Sequence, residues 1–107
     1  MMSEITLHGR EAKTLFPGFV ARLIHTERMT LAYVQIEAGA ELPAHRHPHE
    51  QVVNVLSGVL ELIVEGEAHL LERGKLFVIP PNVEHSGAAR TACEVLDVFC
   101  PVREDLL

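Results

Sequence analysis

The sequence has no tryptophan, only two cysteines and no run of basic residues. Each shortage removes a class of protein. Cys93 and Cys100 make no C-x-x-C pair, and so few thiols exclude a disulfide-stapled scaffold; a reducing cytoplasm is the expected setting. Nine lysines and arginines lie scattered among 15 aspartates and glutamates, for a formal net charge of -6. Nucleic acids and anionic membranes both need clustered cations, so neither is expected as a partner. The opening "MMSEITLHGREAK" has no apolar h-region, and no signal peptide is expected. The longest apolar runs, such as "VVNVLSGVLELIV", are broken by polar residues and glycine, and none could span a bilayer. Helix is scarce too: only residues 9–15 fit a short helical turn.

What is present is a β pattern. At 48% hydrophobic and 22% charged over 107 residues, the chain suits one ordered domain spanning 1–107. Short apolar stretches alternate with turn residues, the pattern of an all-β protein. Strands are expected at 19–24, 29–36, 44–47, 51–56, 59–64, 68–71, 76–79, 84–88 and 94–99. Turns are expected at Gly39, Gly58, Gly66, Gly74, Gly87 and Pro80-Pro81-Asn82. "VVNVL", "VLELIV" and "LFVIP" are apolar on both faces, which suits two packed sheets or a barrel with a buried outer surface. An apolar outer face on so small a domain predicts a homodimer.

The densest chemistry lies in "PAHRHPHEQ", residues 43–51. On a strand, residues i and i+2 face the same way, so His45 and His47 aim two imidazoles at one point. Pro48 has no N–H for a ladder and bends the chain, which would let a third side chain converge. His85, after the Pro-Pro-Asn turn, is the best candidate to complete the set from the opposite sheet. His49 is expected to swing toward the rim, and Glu50 to accept from an imidazole N–H. His8, His25 and His69 read as surface or strand-end residues. Cys93 and Cys100 read as small packed hydrophobes.

These residues carry a family resemblance. "GAELPAHRHPHEQVVNVLSG" and "GKLFVIPPNVEH" resemble the two cupin motifs, in order and at a fitting separation. The resemblance implies a cupin-type double-stranded β-helix, a jelly-roll barrel. It also implies one divalent transition metal (Zn, Ni, Fe, Mn or Cu) on His45, His47, Gln51 and His85. Two positions depart from the motifs. Asn82 replaces a glycine, a mild change because asparagine tolerates the left-handed conformation. Gln51 replaces the usual glutamate, so its oxygen would coordinate without charge and leave the cation a stronger Lewis acid.

The tail, "EVLDVFCPVREDLL", is the second informative stretch. Asp97 and Phe99 share parity on a strand, and Arg103 follows Pro101 where it can fold back over the barrel mouth. Arginine is the side chain best shaped to grip a carboxylate through paired N–H donors. This ending is similar to that of the pectin-degradation cupins, which open and ketonise 4,5-unsaturated uronates. That likeness implies Asp97 as acid/base, Phe99 as a sugar-facing wall and Arg103 as the clamp on a small anionic substrate. Two other functions stay open: a metal-dependent dioxygenase, and a non-catalytic module binding a sugar or small acid. Asp97 and Arg103 pointing into a common pocket would favour the uronate enzyme; a pocket lined only by apolar groups would favour oxygenation.

Overall fold

Alternation along each strand decides which residues meet. Strand β2 (Phe19–His25) buries Phe19, Ala21 and Leu23 and turns Val20, Arg22 and Ile24 the other way. The same period runs through β3 (Thr30–Ile36), β5 (Glu50–Ser57) and β10 (Cys93–Cys100) of the same sheet and through β6 (Val59–Val64) of the other, and their buried residues share one core. A computed structural model describes residues 2–107 and contains ten strands. The others are β1 (Ala12–Phe16), β4 (Glu41–His45), β7 (Glu67–Glu72), β8 (Leu76–Ile79) and β9 (His85–Ala89). They form two antiparallel sheets, β1-β2-β3-β10-β5-β8 and β4-β9-β6-β7. This is the expected all-β jelly-roll, with the inner faces packed as Ala21, Val34, Val53, Val55, Leu60, Leu62, Ile79 and Val95. Each fully buried valine or leucine there contributes about 1.5–3 kcal/mol.

The register fixes where chemistry can sit. Thr30, Phe99, Gln51 and Ile79 stand in one row across β3, β10, β5 and β8, and Ala32, Asp97, Val53 and Phe77 in the next. Beyond them the inner rows are apolar, through Val34, Val95 and Val55. Polar groups are therefore confined to one end of the barrel.

Several expectations are corrected. Residues 9–15 form no helical turn: a 3-10 turn covers Leu7–Gly9, and Ala12–Phe16 is an edge strand. Its outer residues are exposed, so it lacks the apolar stretch that marked the other strands. It is held by pairing to β2 across the Pro17-Gly18 turn, where Gly18 takes a φ of 83°. Gly87 lies inside β9, between Leu42 and Leu62, and makes no turn. The fourth strand ends at His45, so His47 sits in the bend that follows, its carbonyl accepting from the Asn82 N–H at 2.8 Å. Cys93 packs as expected, but Cys100 is exposed because it falls on the outer parity of β10. The turn glycines Gly39, Gly58, Gly66 and Gly74 all take positive φ, and Asn82 does so at 64°. At Gly58 a side chain would also collide with the Ala92 carbonyl.

Candidate metal centre

His45 closes β4, His85 opens β9, and the two are paired across the ladder. Their rings lie 4.3 Å apart between centroids, and the His47 ring is 5.0 Å from that of His85. One nitrogen from each of His45, His47 and His85 falls within 4.8 Å of the others. Backbone carbonyls set the tautomers. Pro43 O accepts from His45 Nδ1–H at 2.9 Å, and Val83 O accepts from His85 Nδ1–H at 2.9 Å. Both Nε2 atoms therefore carry lone pairs, and that of His85 is buried with no partner. These carbonyls do the work expected of Glu50, which is exposed.

Gln51 is buried on β5, and its Oε1 lies 3.1 Å from His47 Nε2. That spacing suits two ligands of one cation with bonds of about 2.1 Å. Burial, the Arg103 charge and the neighbouring His85 lower the His47 pKa from 6.5 to about 4. The His85 pKa is also lowered, first by burial. Both imidazoles are neutral at pH 7, the form that binds metal. Converging lone pairs, an orphaned buried nitrogen and a neutral amide oxygen together fit a divalent cation. His49 is half-buried, 5.4 Å from His47 between ring centroids, and does not line the cavity.

The donors open onto a cavity of about 270 Å³ inside the barrel. Asp97, Phe99 and Arg103 line it as well, so the three tail residues are brought to the histidines. Burial raises the Asp97 pKa from 3.8 to about 6, against a hydrogen bond from Gln51 and the charge of Arg103. Its Oδ1 is sealed from solvent without a partner. Phe99 sits between the two sets: its ring meets His47 edge-on at 5.7 Å and lies 4.6 Å beneath the Arg103 guanidinium carbon. The Arg103 N–H donates to the fully buried Thr30 Oγ1 at 2.9 Å, which ties the tail to the inner sheet. Thr30 and Ser86 were not singled out in the sequence, because a lone hydroxyl carries no spacing signal. Leu15 and Phe16 also line the cavity and escaped notice because their edge strand did.

The comparisons with known proteins agree with this geometry. A cupin domain model matches residues 32–99. The pectin degradation protein KdgF of Dickeya dadantii (strain 3937) is 30% identical over 84 residues, covering 77% of this chain and 76% of that protein. The structure of KdgF from Halomonas sp. superposes with a TM-score of 0.93 at 30% identity, covering 100% of both chains. An RmlC-like cupin from Shewanella frigidimarina NCIMB 400 gives 0.92 at 26% identity, covering 100% of this chain and 97% of that one. With both motifs folded around one histidine cluster, the chain belongs to the cupin family, on the branch of the pectin degradation cupins.

Proposed function

We propose that this protein is a metal-dependent enzyme that opens and ketonises 4,5-unsaturated uronates. The observation that carries the reading is that Asp97 and Arg103 line the same cavity as His45, His47, Gln51 and His85. An acid, a carboxylate-binding cation and a metal-ready cluster in one space are what this reaction needs. The likeness to the KdgF proteins supports it.

In such a substrate the ring oxygen O5 is an enol-ether oxygen on C5, next to the carboxylate. Opening removes the O1 proton and breaks the C1–O5 bond, leaving the electron pair on O5. Ketonisation then places a proton on C4. A bound divalent cation supplies Lewis acidity toward oxygens that gain charge. Asp97 takes the O1 proton and returns it to C4, so the carboxylate is regenerated and the atoms balance. Arg103 holds the substrate carboxylate, and Phe99 provides the wall between clamp and donors. The mostly apolar remainder of the cavity, including Leu60, Leu62 and Val95, keeps water from the reacting atoms. The test follows loss of the conjugated absorbance of an unsaturated uronate, with wild type and Asp97→Ala compared. Wild type should exceed the spontaneous rate and the variant should not; a wild type no faster than buffer would refute the reading.

We also propose that the protein works as a homodimer through the outer face of its six-stranded sheet. Ile24, Leu31, Val98, Val52 and Val78 form one uncharged row across five strands, half-buried except at the exposed Val78. A two-fold interface needs a self-complementary patch, and a plain apolar row is one. Light scattering should give twice the 11.9 kDa chain mass for wild type and the single mass for Val98→Glu.

A further inference from the structure

Arg103 does not approach the cavity with a free side chain. Its Nε donates to Asp105 Oδ1 at 3.0 Å and its Nη2 to Asp105 Oδ2 at 2.7 Å. A guanidinium has five N–H bonds and can form two such forks. Asp105 occupies the Nε/Nη2 fork. Nη1 has no protein partner among the described residues, so the Nη1/Nη2 fork stays open. The Arg103 side chain is 15% exposed while that of Asp105 is 57% exposed, so the carboxylate grips the arginine from the solvent side. Phe99 fixes the plane from below, and the Thr30 hydroxyl fixes the backbone. A short 3-10 turn, Glu104–Leu106, carries Asp105 back over its own arginine, closed by Leu106 N–H on Arg103 O at 3.0 Å.

We propose that Asp105 is a positioning residue for anion recognition: by holding one fork of Arg103, it presents the other to a carboxylate in the cavity. This rests on Arg103 being the clamp of the proposed function. A loose arginine would lose side-chain freedom on each binding event, whereas one already held has less to lose. In the opposite role, Asp105 would be an internal carboxylate that a ligand must displace, and its loss would tighten binding. The two roles differ in sign.

The experiment is calorimetric titration of the metal-loaded full chain with galacturonate, a saturated uronate, and with neutral galactose as control. Asp105→Asn should weaken galacturonate binding roughly tenfold, the loss of a charge-assisted pair that orders the clamp. Asp105→Glu should recover part of it. Galactose affinity and melting temperature should stay level across the three proteins, which a merely structural role would not give. Equal or tighter galacturonate binding by Asp105→Asn overturns the proposal, as does a wild type that does not prefer galacturonate to galactose. Should Asp105→Asn fold poorly, wild-type affinity in an Arg103→Ala protein would overturn it equally. A wild type that binds in the expected pattern yet leaves unsaturated uronate unchanged keeps the assignment of Asp105 and removes the enzyme reading. Turnover with galacturonate affinity unmoved in Asp105→Asn does the reverse.

Discussion

The cavity is built from two halves of unlike construction. The donor half, His45, His47, Gln51 and His85, comes from two strand ends, one bend and one buried strand position, with imidazoles set by backbone carbonyls. The clamp half, Asp97, Phe99, Arg103 and Asp105, comes from the last strand and the short tail beyond it, tied by side-chain bonds. The first is a set of three imidazoles and one amide, with no carboxylate among them. The second carries the charges and depends on tail residues anchored inward by Thr30, by Phe99 and by Leu106 packing against the core. On the proposed function, the contrast separates holding a cation from recognising an anion, and Phe99, which touches both His47 and Arg103, joins the two.

The division can be broken at either half. His85→Ala removes a lone pair from the donor half and should lower metal affinity by at least about 100-fold, read as metal per chain after dialysis. Activity should fall to the spontaneous rate. Asp97→Asn should leave metal content intact and cut turnover by roughly 100- to 10,000-fold, which separates proton transfer from metal holding. Arg103→Lys keeps the charge but loses the fork. It should raise KM about tenfold with a smaller fall in kcat.

A smaller effect sharpens the comparison through pH. In the metal-free protein the Asp97 pKa is raised to about 6 from 3.8, so folding favours its neutral form. Stability from this group is present in acid and lost as pH rises through 6. His47 has its pKa lowered to about 4, so folding favours its neutral form as well, and that contribution is lost as pH falls from 6.5 toward 4. The two halves thus pull in opposite directions between pH 4 and 6.5. Metal-free Asp97→Asn should be more stable than wild type at pH 7, on the order of 2 kcal/mol, with the gain vanishing near pH 4. Denaturant titrations at both pH values measure it.

The donor half was legible because its spacing is local. His-x-His sets two side chains to one side, Pro48 ends the ladder, and the Pro-Pro-Asn turn announces His85. The structure brings the four side chains near one another but moves His47 off the strand and replaces Glu50 by the carbonyls of Pro43 and Val83, which no side-chain pattern reveals. The clamp half was legible only in part. Shared parity placed Asp97 and Phe99 together, and both do line the cavity. The sequence left Arg103 open to pairing with Glu104, Asp105 or a partner subunit as well as with a substrate; that Asp105 is the one it meets depends on how the tail turns. The first strand was missed for a related reason: an exposed edge strand needs no apolar alternation.

By itself the sequence determined most of the strand period, the turns at Gly39, Gly58, Gly66 and Gly74, and the family, because these depend on local backbone preference and on side-chain identity. Tertiary structure decided which residues share a space. Register across β3, β10, β5 and β8 set Asp97 in the row next to that of Gln51, and a long-range bond to Thr30 holds the tail where Arg103 lies over Phe99. The physical reason is that such contacts join residues far apart in the chain, through pairing and burial energies that no short stretch encodes.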